Sequence, residues 1–107
     1  MEVAILTFEG FNELDSFIAS SILNKVDGWN VKITCPSNNV TSMNGVTIQA
    51  QAQLEYANSA DIVLFGSDIY TRDIAQDKTI LDRLKLDASK QLIGAQCSGR
   101  IIGVRVK

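Results

Sequence analysis

Short apolar runs, each followed directly by glycine or polar residues, are the feature that most constrains the fold of this chain. They cover residues 3–8, 61–65 and 91–95. A run of this length without polar alternation is typical of a strand that is buried on both faces, as in a parallel sheet. The alternating segment 29–35 predicts one further strand. Together these segments predict a parallel sheet at the centre of the molecule.

Helical periodicity lies between these strands. Apolar residues recur at three- and four-residue spacing at Leu14, Phe17, Ile18, Ile22 and Val26, which predicts an amphipathic first helix. A second helix is predicted over residues 76–86, a hairpin over 40–51 around Asn44-Gly45, and a single helical turn over 54–58. Strands that alternate with helices predict an α/β fold of three layers, with a mostly parallel sheet between helices.

The absence of histidine excludes more chemistry than any other count. Without it the chain cannot complete a Ser-His-Asp or Cys-His relay, or a histidine-ligated metal site. Its two cysteines cannot form a four-thiolate zinc site. We therefore expect neither a metal nor any other cofactor.

The remaining composition is that of an ordinary globular protein. With 107 residues, 46% hydrophobic and 21% charged, the chain is predicted to form one domain over residues 1–107. A net charge of −2 with scattered basic residues argues against a nucleic-acid partner. No signal-peptide pattern opens the chain, and no apolar run approaches the ~20 residues of a membrane span. We expect a cytoplasmic protein with free thiols and no membrane contact.

The segment after the last predicted strand carries the strongest functional signal. Ligands bind beyond the carboxyl ends of parallel strands. In the sequence Ala-Gln-Cys-Ser-Gly over residues 95–99, small residues stand two positions before and after Cys97, as in a nucleophile elbow. The dipole of a helix that follows such an elbow favours the thiolate. The alternative is a buried structural cysteine, which is what Cys35 is expected to be within its strand.

Three segments resemble the ThiJ/PfpI family, which has the class I glutamine-amidotransferase-like fold. They are residues 8–15 (Phe-Glu-Gly-Phe-Asn-Glu-Leu-Asp), 61–67 (Asp-Ile-Val-Leu-Phe-Gly-Ser) and 93–99 (Ile-Gly-Ala-Gln-Cys-Ser-Gly). Each motif is short, but their order and spacing match those of the family. The resemblance covers the chain up to Gly99 and implies a flavodoxin-like, three-layer αβα fold.

The resemblance also implies roles for individual residues. Cys97 matches the nucleophile, and Asp15 matches the acidic residue of the first helix that approaches the thiol. Gly66 and Ser67 match the loop whose backbone faces an oxyanion, together with the N–H of Ser98. Ser98 stands where the protease-like branch has histidine and the isonitrile-hydratase-like branch has threonine. The chain therefore resembles the isonitrile-hydratase-like branch more closely.

A pair formed by Cys97 and Asp15 needs no histidine. Since a carboxylate beside a thiolate is a like-charge pair, the acid is expected to stay protonated and to donate a hydrogen bond. It could then act as acid or base while the sulfur attacks an electrophilic carbon. The alternative for Asp15 is an exposed charge at the start of a helix.

Other polar residues near the predicted strand ends are weaker candidates. Glu9 and Glu13 are expected to be solvated surface. Tyr70, Arg72 and Asp73 could line a pocket, although a solvated loop is the expectation.

The family pattern ends at Gly99. The family continues there with a long apolar helix and further strands, whereas residues 100–107 alternate with the period of a strand. We therefore expect a truncated domain, incomplete at its C-terminus, with an exposed sheet edge. The alternative is a short variant that completes itself by dimerisation.

Two functions are consistent with these observations. The first is a cysteine-dependent hydrolase or hydratase of a small electrophilic molecule, similar to isonitrile hydratase and inactive if truncation removes the activating helix. The second is a non-catalytic ligand- or redox-sensing domain. We also expect a homodimer.

Overall fold

A parallel sheet forms the centre of the structure, a computed structural model that describes residues 1–66, 68 and 71–95. In chain order the elements are β1 (Glu2–Leu6), α1 (Glu13–Leu23), β2 (Asn30–Cys35), β3 (Asn39–Thr41), β4 (Thr47–Gln49), β5 (Ala52–Gln53), a 3₁₀ helix (Leu54–Ser59), β6 (Ile62–Phe65), α2 (Thr71–Gln76), α3 (Lys78–Arg83) and β7 (Leu92–Ala95). The sheet has the strand order β5-β2-β1-β6-β7, and each neighbouring pair is parallel. The parallel sheet predicted from the apolar runs is confirmed.

The predicted hairpin and helical turn are also present. Strands β3 and β4 pair in antiparallel register, with Val40 opposite Ile48. Gly45 in the connecting turn has a φ of 85°, a conformation that glycine adopts without steric cost. The turn predicted over residues 54–58 is the 3₁₀ helix.

Alternate residues of the central strands supply the two faces of the core. On one face Val3 and Ile5 of β1 pack with Val31 and Ile33 of β2, and α1 covers them through Ala19 and Leu23. The opposite face buries a second cluster: Ala4, Leu6, Phe8, Leu54, Ala57, Ala60, Val63, Phe65, Ile74 and Leu84. The 3₁₀ helix, α2 and α3 contribute to this second face. The three-layer α/β architecture is therefore confirmed.

Helix α1 packs through a different face from the one that its apolar residues predict. Leu14, Ile18 and Ile22 are 64%, 50% and 59% exposed. The side chain that α1 buries most completely is Ser16, and Ala19 packs beside it against the sheet. Small residues allow the helix backbone to approach the strands closely, so the bulky apolar stripe points away from the sheet. The helix also ends at Leu23 and does not reach Val26.

The single helix predicted over residues 76–86 is wrong, because Asp77 interrupts it. Asp77 has an extended backbone (φ −78°, ψ 102°), and its side chain accepts hydrogen bonds from the N–H groups of Thr79 and Ile80. It therefore caps α3 and separates it from α2, which occupies residues expected to form a loop. Leu84 returns to an extended conformation and ends α3 at Arg83.

Strand β7 is the outer strand of the sheet in the described part of the chain. The segment over residues 100–107, for which a strand-like period was expected, lies outside the described residues. No helix among the described residues is long and apolar enough to cross a membrane.

Candidate active site

The carboxyl ends of β1, β6 and β7 lie side by side. Leu6 pairs with Phe65, and Phe65 pairs with Ala95, in parallel register. The loops that follow these strands therefore start at one edge of the sheet, where open α/β folds bind ligands. In the sequence, Cys97 follows Ala95 by two residues.

Asp15 lies in the first turn of α1, and a local cap fixes that turn. The Oδ1 atom of Asn12 accepts hydrogen bonds from the N–H groups of Leu14, at 3.0 Å, and Asp15, at 3.4 Å. Asparagine is one of the preferred residues at this position because its side chain satisfies N–H groups that have no helical partner. Gly10, with a φ of 81°, turns the chain between β1 and this cap. Asp15 itself is half-buried.

Asp15 lines a small cavity at this edge of the sheet. The cavity has a volume of about 30 Å³. Its polar side chains are Asp15 and Ser16 of α1, and the backbone of Gly66 and the end of β7 at Ala95 complete its rim. Apolar side chains form the remaining walls: Ile5, Ala19, Leu64 and Phe65.

Gly66 allows α1 to lie close to the end of β6. A Cβ atom at position 66 would stand 3.2 Å from the Oγ atom of Ser16, tighter than ordinary van der Waals contact. A glycine therefore lets the helix and the strand end approach each other, and it keeps space open beside Asp15.

The structure brings together two of the site residues expected from the sequence. Asp15 and Gly66 line the same cavity, at the strand end that leads toward Cys97. Cys97, Ser98 and Ser67 lie outside the described residues. Their predicted roles as nucleophile and oxyanion-facing groups stay predictions.

Glu9 and Glu13 bind the β3–β4 hairpin. The carboxylate of Glu13 accepts hydrogen bonds from Ser42 Oγ, at 2.7 Å, and from Asn44 Nδ2, at 2.8 Å. The hydrogen bond from Ser42 is the main cause that holds the pKa of Glu13 below its ordinary value. Glu9 accepts a hydrogen bond from the N–H of Thr41 at 3.2 Å. Both carboxylates therefore anchor the hairpin over the strand ends, and Glu9 is at the same time exposed, as expected from the sequence.

Cys35 is a core residue, as its position in an alternating strand predicted. Its side chain is 0% exposed, and its sulfur lies 3.3 Å from the hydroxyl of Thr7. Burial raises the pKa of the Cys35 thiol, which disfavours the reactive thiolate.

A second, larger cavity lies between the ends of β1 and β2 and helix α3. It has a volume of about 450 Å³. Its lining comprises Phe8, Glu9, Pro36, Ser37, Val40, Asp73, Ile74, Asp77, Thr79, Ile80 and Arg83. The Arg83 guanidinium is already bound to Glu55, at 2.6 Å, and to the carbonyl of Pro36, at 2.7 Å. Asp73 thus lines a cavity, whereas Tyr70 and the Arg72 side chain lie outside the described residues.

Sequence patterns did not identify Ser16 as part of this site. A small polar residue between apolar helix positions carries no signal of its own, and only the packing of α1 against β6 shows that it is buried. In the described ranges, no group of three or more acidic or cysteine side chains could hold a metal ion.

The sheet with its strand-end cavity is that of a flavodoxin-like α/β protein, and solved structures narrow the fold further. A ThiJ/PfpI family protein from Pseudomonas syringae has a TM-score of 0.84 at 21% identity, covering 97% of this chain and 45% of its own. Drosophila melanogaster DJ-1beta has a TM-score of 0.81 at 18% identity, covering 98% and 59%. Oxidized Toxoplasma gondii DJ-1 has a TM-score of 0.74 at 15% identity, covering 94% and 58%.

The chain therefore has the fold of the ThiJ/PfpI and DJ-1 proteins, which confirms at the level of the fold the resemblance seen in its motifs. It spans about half the length of these structures. No protein-family model and no curated protein matches the chain.

Proposed function

We propose that this chain is a ThiJ/PfpI-type cysteine hydrolase or hydratase that acts on a small electrophilic molecule. Cys97 would be the nucleophile and Asp15 its acid/base partner. The observation that carries the proposal is the position of Asp15, half-buried beside Gly66 and Ala95 at the strand end that runs into the Cys97 motif. The elbow sequence and the fold shared with ThiJ/PfpI proteins support the same assignment.

An isonitrile is the substrate class that the motif favours, since Ser98 resembles the threonine of the isonitrile-hydratase-like branch. The Cys97 sulfur would add to the terminal isonitrile carbon, and a proton from Asp15 would complete a thioimidate. Water would then add to that carbon, and the carbon–sulfur bond would break. This step releases the Cys97 thiol and gives an N-substituted formamide as the product. The backbone N–H groups of Ser67 and Ser98 are assigned to stabilise negative charge during these steps.

Alkylation of the two thiols as a function of pH tests the nucleophile. Iodoacetamide should modify Cys97 well below the pH of about 8.5 at which a free thiol ionises. Cys35 is an internal control in the same chain, because it is buried and should stay unmodified. Peptide mass spectrometry separates the two sites. Asp15→Asn should shift the pH profile of Cys97, whereas Glu13→Gln, on the same helical turn, should leave it in place.

The proposal fails if Cys97 reacts with the pH profile of a free thiol, or if Asp15→Asn does not change that profile. Hydration of a small alkyl isonitrile, followed as formamide by NMR, tests the substrate class. Loss of turnover in both Cys97→Ser and Asp15→Asn is the expected result. Activity that survives in Cys97→Ser would contradict the assignment of the nucleophile.

A redox-sensing role is the second candidate, and one comparison favours it. The similar Toxoplasma gondii DJ-1 structure is of an oxidized form. On this hypothesis, hydrogen peroxide converts the Cys97 thiolate first to a sulfenic acid, and a second equivalent gives a sulfinic acid. Mass spectrometry should show two added oxygen atoms at Cys97 and none at Cys35. Equal oxidation of both cysteines would exclude a specific sensor.

We further propose that the protein is a homodimer. The exposed stripe of Leu14, Ile18 and Ile22 on α1 supports this, because a row of large apolar side chains is stabilised when a second surface covers it. Sedimentation should give a dimer for the wild type and a shift toward monomer for Ile18→Glu. A wild-type monomer at all concentrations would rule out the dimer.

A further inference from the structure

The larger cavity, between the ends of β1 and β2 and helix α3, has an apolar floor. The floor is formed by the buried side chains of Phe8, Val40 and Ile74. Phe8 and Ile74 belong to the core cluster on the face of the sheet opposite α1, and the cavity shares no lining residue with the one beside Asp15. Its volume of about 450 Å³ is in the range of small-molecule sites, which are mostly apolar with a few polar groups.

Three carboxylates border this cavity on its solvent side. Glu9, Asp73 and Asp77 line it, and all three residues are exposed. They come from the loop after β1, from α2 and from the N-cap of α3, so their charges meet only through the fold. A cleft lined by one sign of charge raises the local concentration of ions of the opposite sign.

Arg83 is the one cation among the described side chains that line the cavity, and its charge is already paired. Its Nε and Nη2 atoms each donate a hydrogen bond of 2.6 Å to the carboxylate of Glu55, and its Nη1 atom donates to the carbonyl of Pro36 at 2.7 Å. Such two-point pairing is the strong geometry for an arginine and a carboxylate. Arg83 therefore holds α3 to the end of β2 and leaves the charges of Glu9, Asp73 and Asp77 uncompensated by its own.

We propose that this cavity binds a small organic cation, namely a primary alkylammonium or arylalkylammonium ion. Its apolar group lies on the buried floor, and its ammonium group lies among the three carboxylates. A primary ammonium group has three N–H donors, which match carboxylate acceptors. Burial of the apolar group supplies affinity, and the carboxylates select the sign of the charge. The site uses neither Cys97 nor Asp15, so it is independent of the function proposed above.

Three probes that share a phenyl ring and differ in charge test the proposal: phenethylamine, 2-phenylethanol and 3-phenylpropionate. Titrations followed by ¹H–¹⁵N NMR at neutral pH should show that the amine binds most tightly and the carboxylate most weakly. The amide signals that shift should include those of Thr79 and Ile80, which line the cavity. Raising the salt concentration from about 20 mM to about 0.3 M should weaken binding of the amine and not of the alcohol.

Equal affinity for the amine and the alcohol would overturn the role of the carboxylates. Tighter binding of 3-phenylpropionate would overturn the sign of the charge. Absence of binding by phenethylamine, or shifts confined to other parts of the chain, would overturn the site itself.

Asp77→Asn removes one charge and keeps the cap of α3, because asparagine caps a helix about as well as aspartate. It should weaken binding of phenethylamine about two- to fivefold, the effect of one exposed charge pair, and leave binding of the alcohol unchanged. Asp73→Asn should have an effect of similar size. Asp82→Asn is the matched control, since Asp82 is exposed on α3 and does not line the cavity. An equal loss in this control would overturn the proposal, because the net charge of the chain would then attract the amine.

Ile80→Ala tests the apolar part of the site. Ile80 is half-buried and lines the cavity from α3, whereas its neighbour Leu81 is half-buried and does not line it. Ile80→Ala should weaken binding of the amine and the alcohol alike, about threefold or more, and Leu81→Ala should weaken neither. Unchanged binding in Ile80→Ala would overturn the placement of the apolar group in this cavity.

Discussion

Neighbouring strand ends of the same sheet differ in how completely side chains cover them. At the end of β2, Cys35 is 0% exposed and packs with Phe11 and Val40 beneath the β3–β4 hairpin. At the ends of β1 and β6, the chain leaves a cavity between Asp15, Ser16 and Gly66. The first end buries a thiol as a packing group, and the second leaves a small, largely apolar space beside Asp15.

The difference arises from the size of the side chains that neighbouring segments place over each strand end. The loop between β1 and α1 places the large side chain of Phe11 against Cys35, and the carbonyl of Phe11 accepts a hydrogen bond at 2.8 Å from the N–H of Met43 in the hairpin. Over β6 the chain has Gly66 and the small side chain of Ser16. We call these two regions the sealed end and the open end. Side-chain size at a few positions thus decides whether the residue at a strand end is packed over or borders a small cavity.

The largest expected effect is on the reactivity of Cys35 at the sealed end. Its alkylation by iodoacetamide should be about 1,000-fold slower in the native protein than in urea, because the thiol becomes accessible only when the structure opens. Timed labelling with peptide mass spectrometry measures both rates. Native labelling within tenfold of the unfolded rate would show that the sealed end is open in solution.

The second-largest expected effect is a loss of stability when the aromatic ring that covers the sealed end is removed. Phe11→Ala should lower the free energy of unfolding by about 3–5 kcal/mol, since it removes a buried aromatic ring and leaves a cavity. Phe17→Ala is the matched control, because Phe17 contacts Phe11 edge-on but is 37% exposed. Urea denaturation should give a clearly smaller loss for the control. Equal losses would mean that Phe11 does not close this end.

A smaller effect is expected where the open end is filled. Gly66→Ala should cost about 1 kcal/mol, because the new Cβ atom presses on the Ser16 hydroxyl. In a Ser16→Ala background this cost should fall, with a coupling of at least about 0.5 kcal/mol in a double-mutant cycle.

Gly94→Ala serves as the control for this cycle. A Cβ atom there would meet the terminal methyl of Leu64, at 3.0 Å, and not Ser16. Its cost should therefore be the same with and without the Ser16 hydroxyl. Coupling of equal size at both glycines would show that the effect of Gly66 is not local.

The smallest effect concerns the pH dependence of the hairpin anchor. Since the pKa of Glu13 is lowered from 4.5 in the folded state, its stabilising contribution is present above about pH 4.5 and is lost as the pH falls through the lowered pKa. The stability difference between the wild type and Glu13→Gln should therefore shrink on acidification. Melting temperatures at pH 6 and pH 3 measure it. A difference that grows toward pH 3 would contradict the direction of the shift.

Helix α1 shows why apolar periodicity predicts the presence of a helix more reliably than the face through which that helix packs. The spacing of Leu14, Ile18 and Ile22 correctly indicated a helix, and the Asn12 cap explains where it begins. The same spacing indicated the wrong packing face, because a helix approaches a sheet most closely through small residues. Ser16 and Ala19 supply that close face. The large apolar side chains of a helix are thus not necessarily the ones that it buries.

Helices α2 and α3 show the same limit at shorter range. Apolar spacing over residues 76–86 gave one helix, although the Asp77 side chain can bind N–H groups two and three residues ahead. Whether an aspartate caps a helix or lies on its surface depends on the backbone conformation at that residue. Periodicity does not report that conformation.

By itself, the sequence determined four of the five strands of the sheet, their parallel arrangement and the strand edge at which a site should lie, because these depend on local apolar patterns and on a topological rule. The short strand β5 was not predicted. It also indicated Asp15, Gly66 and Cys97 through short motifs. Only the tertiary structure decided that Asp15 and Gly66 share a cavity and that Ser16 is buried between them. The physical reason is that cavities and buried hydroxyls arise from the packing of segments distant in the chain, which no local pattern encodes.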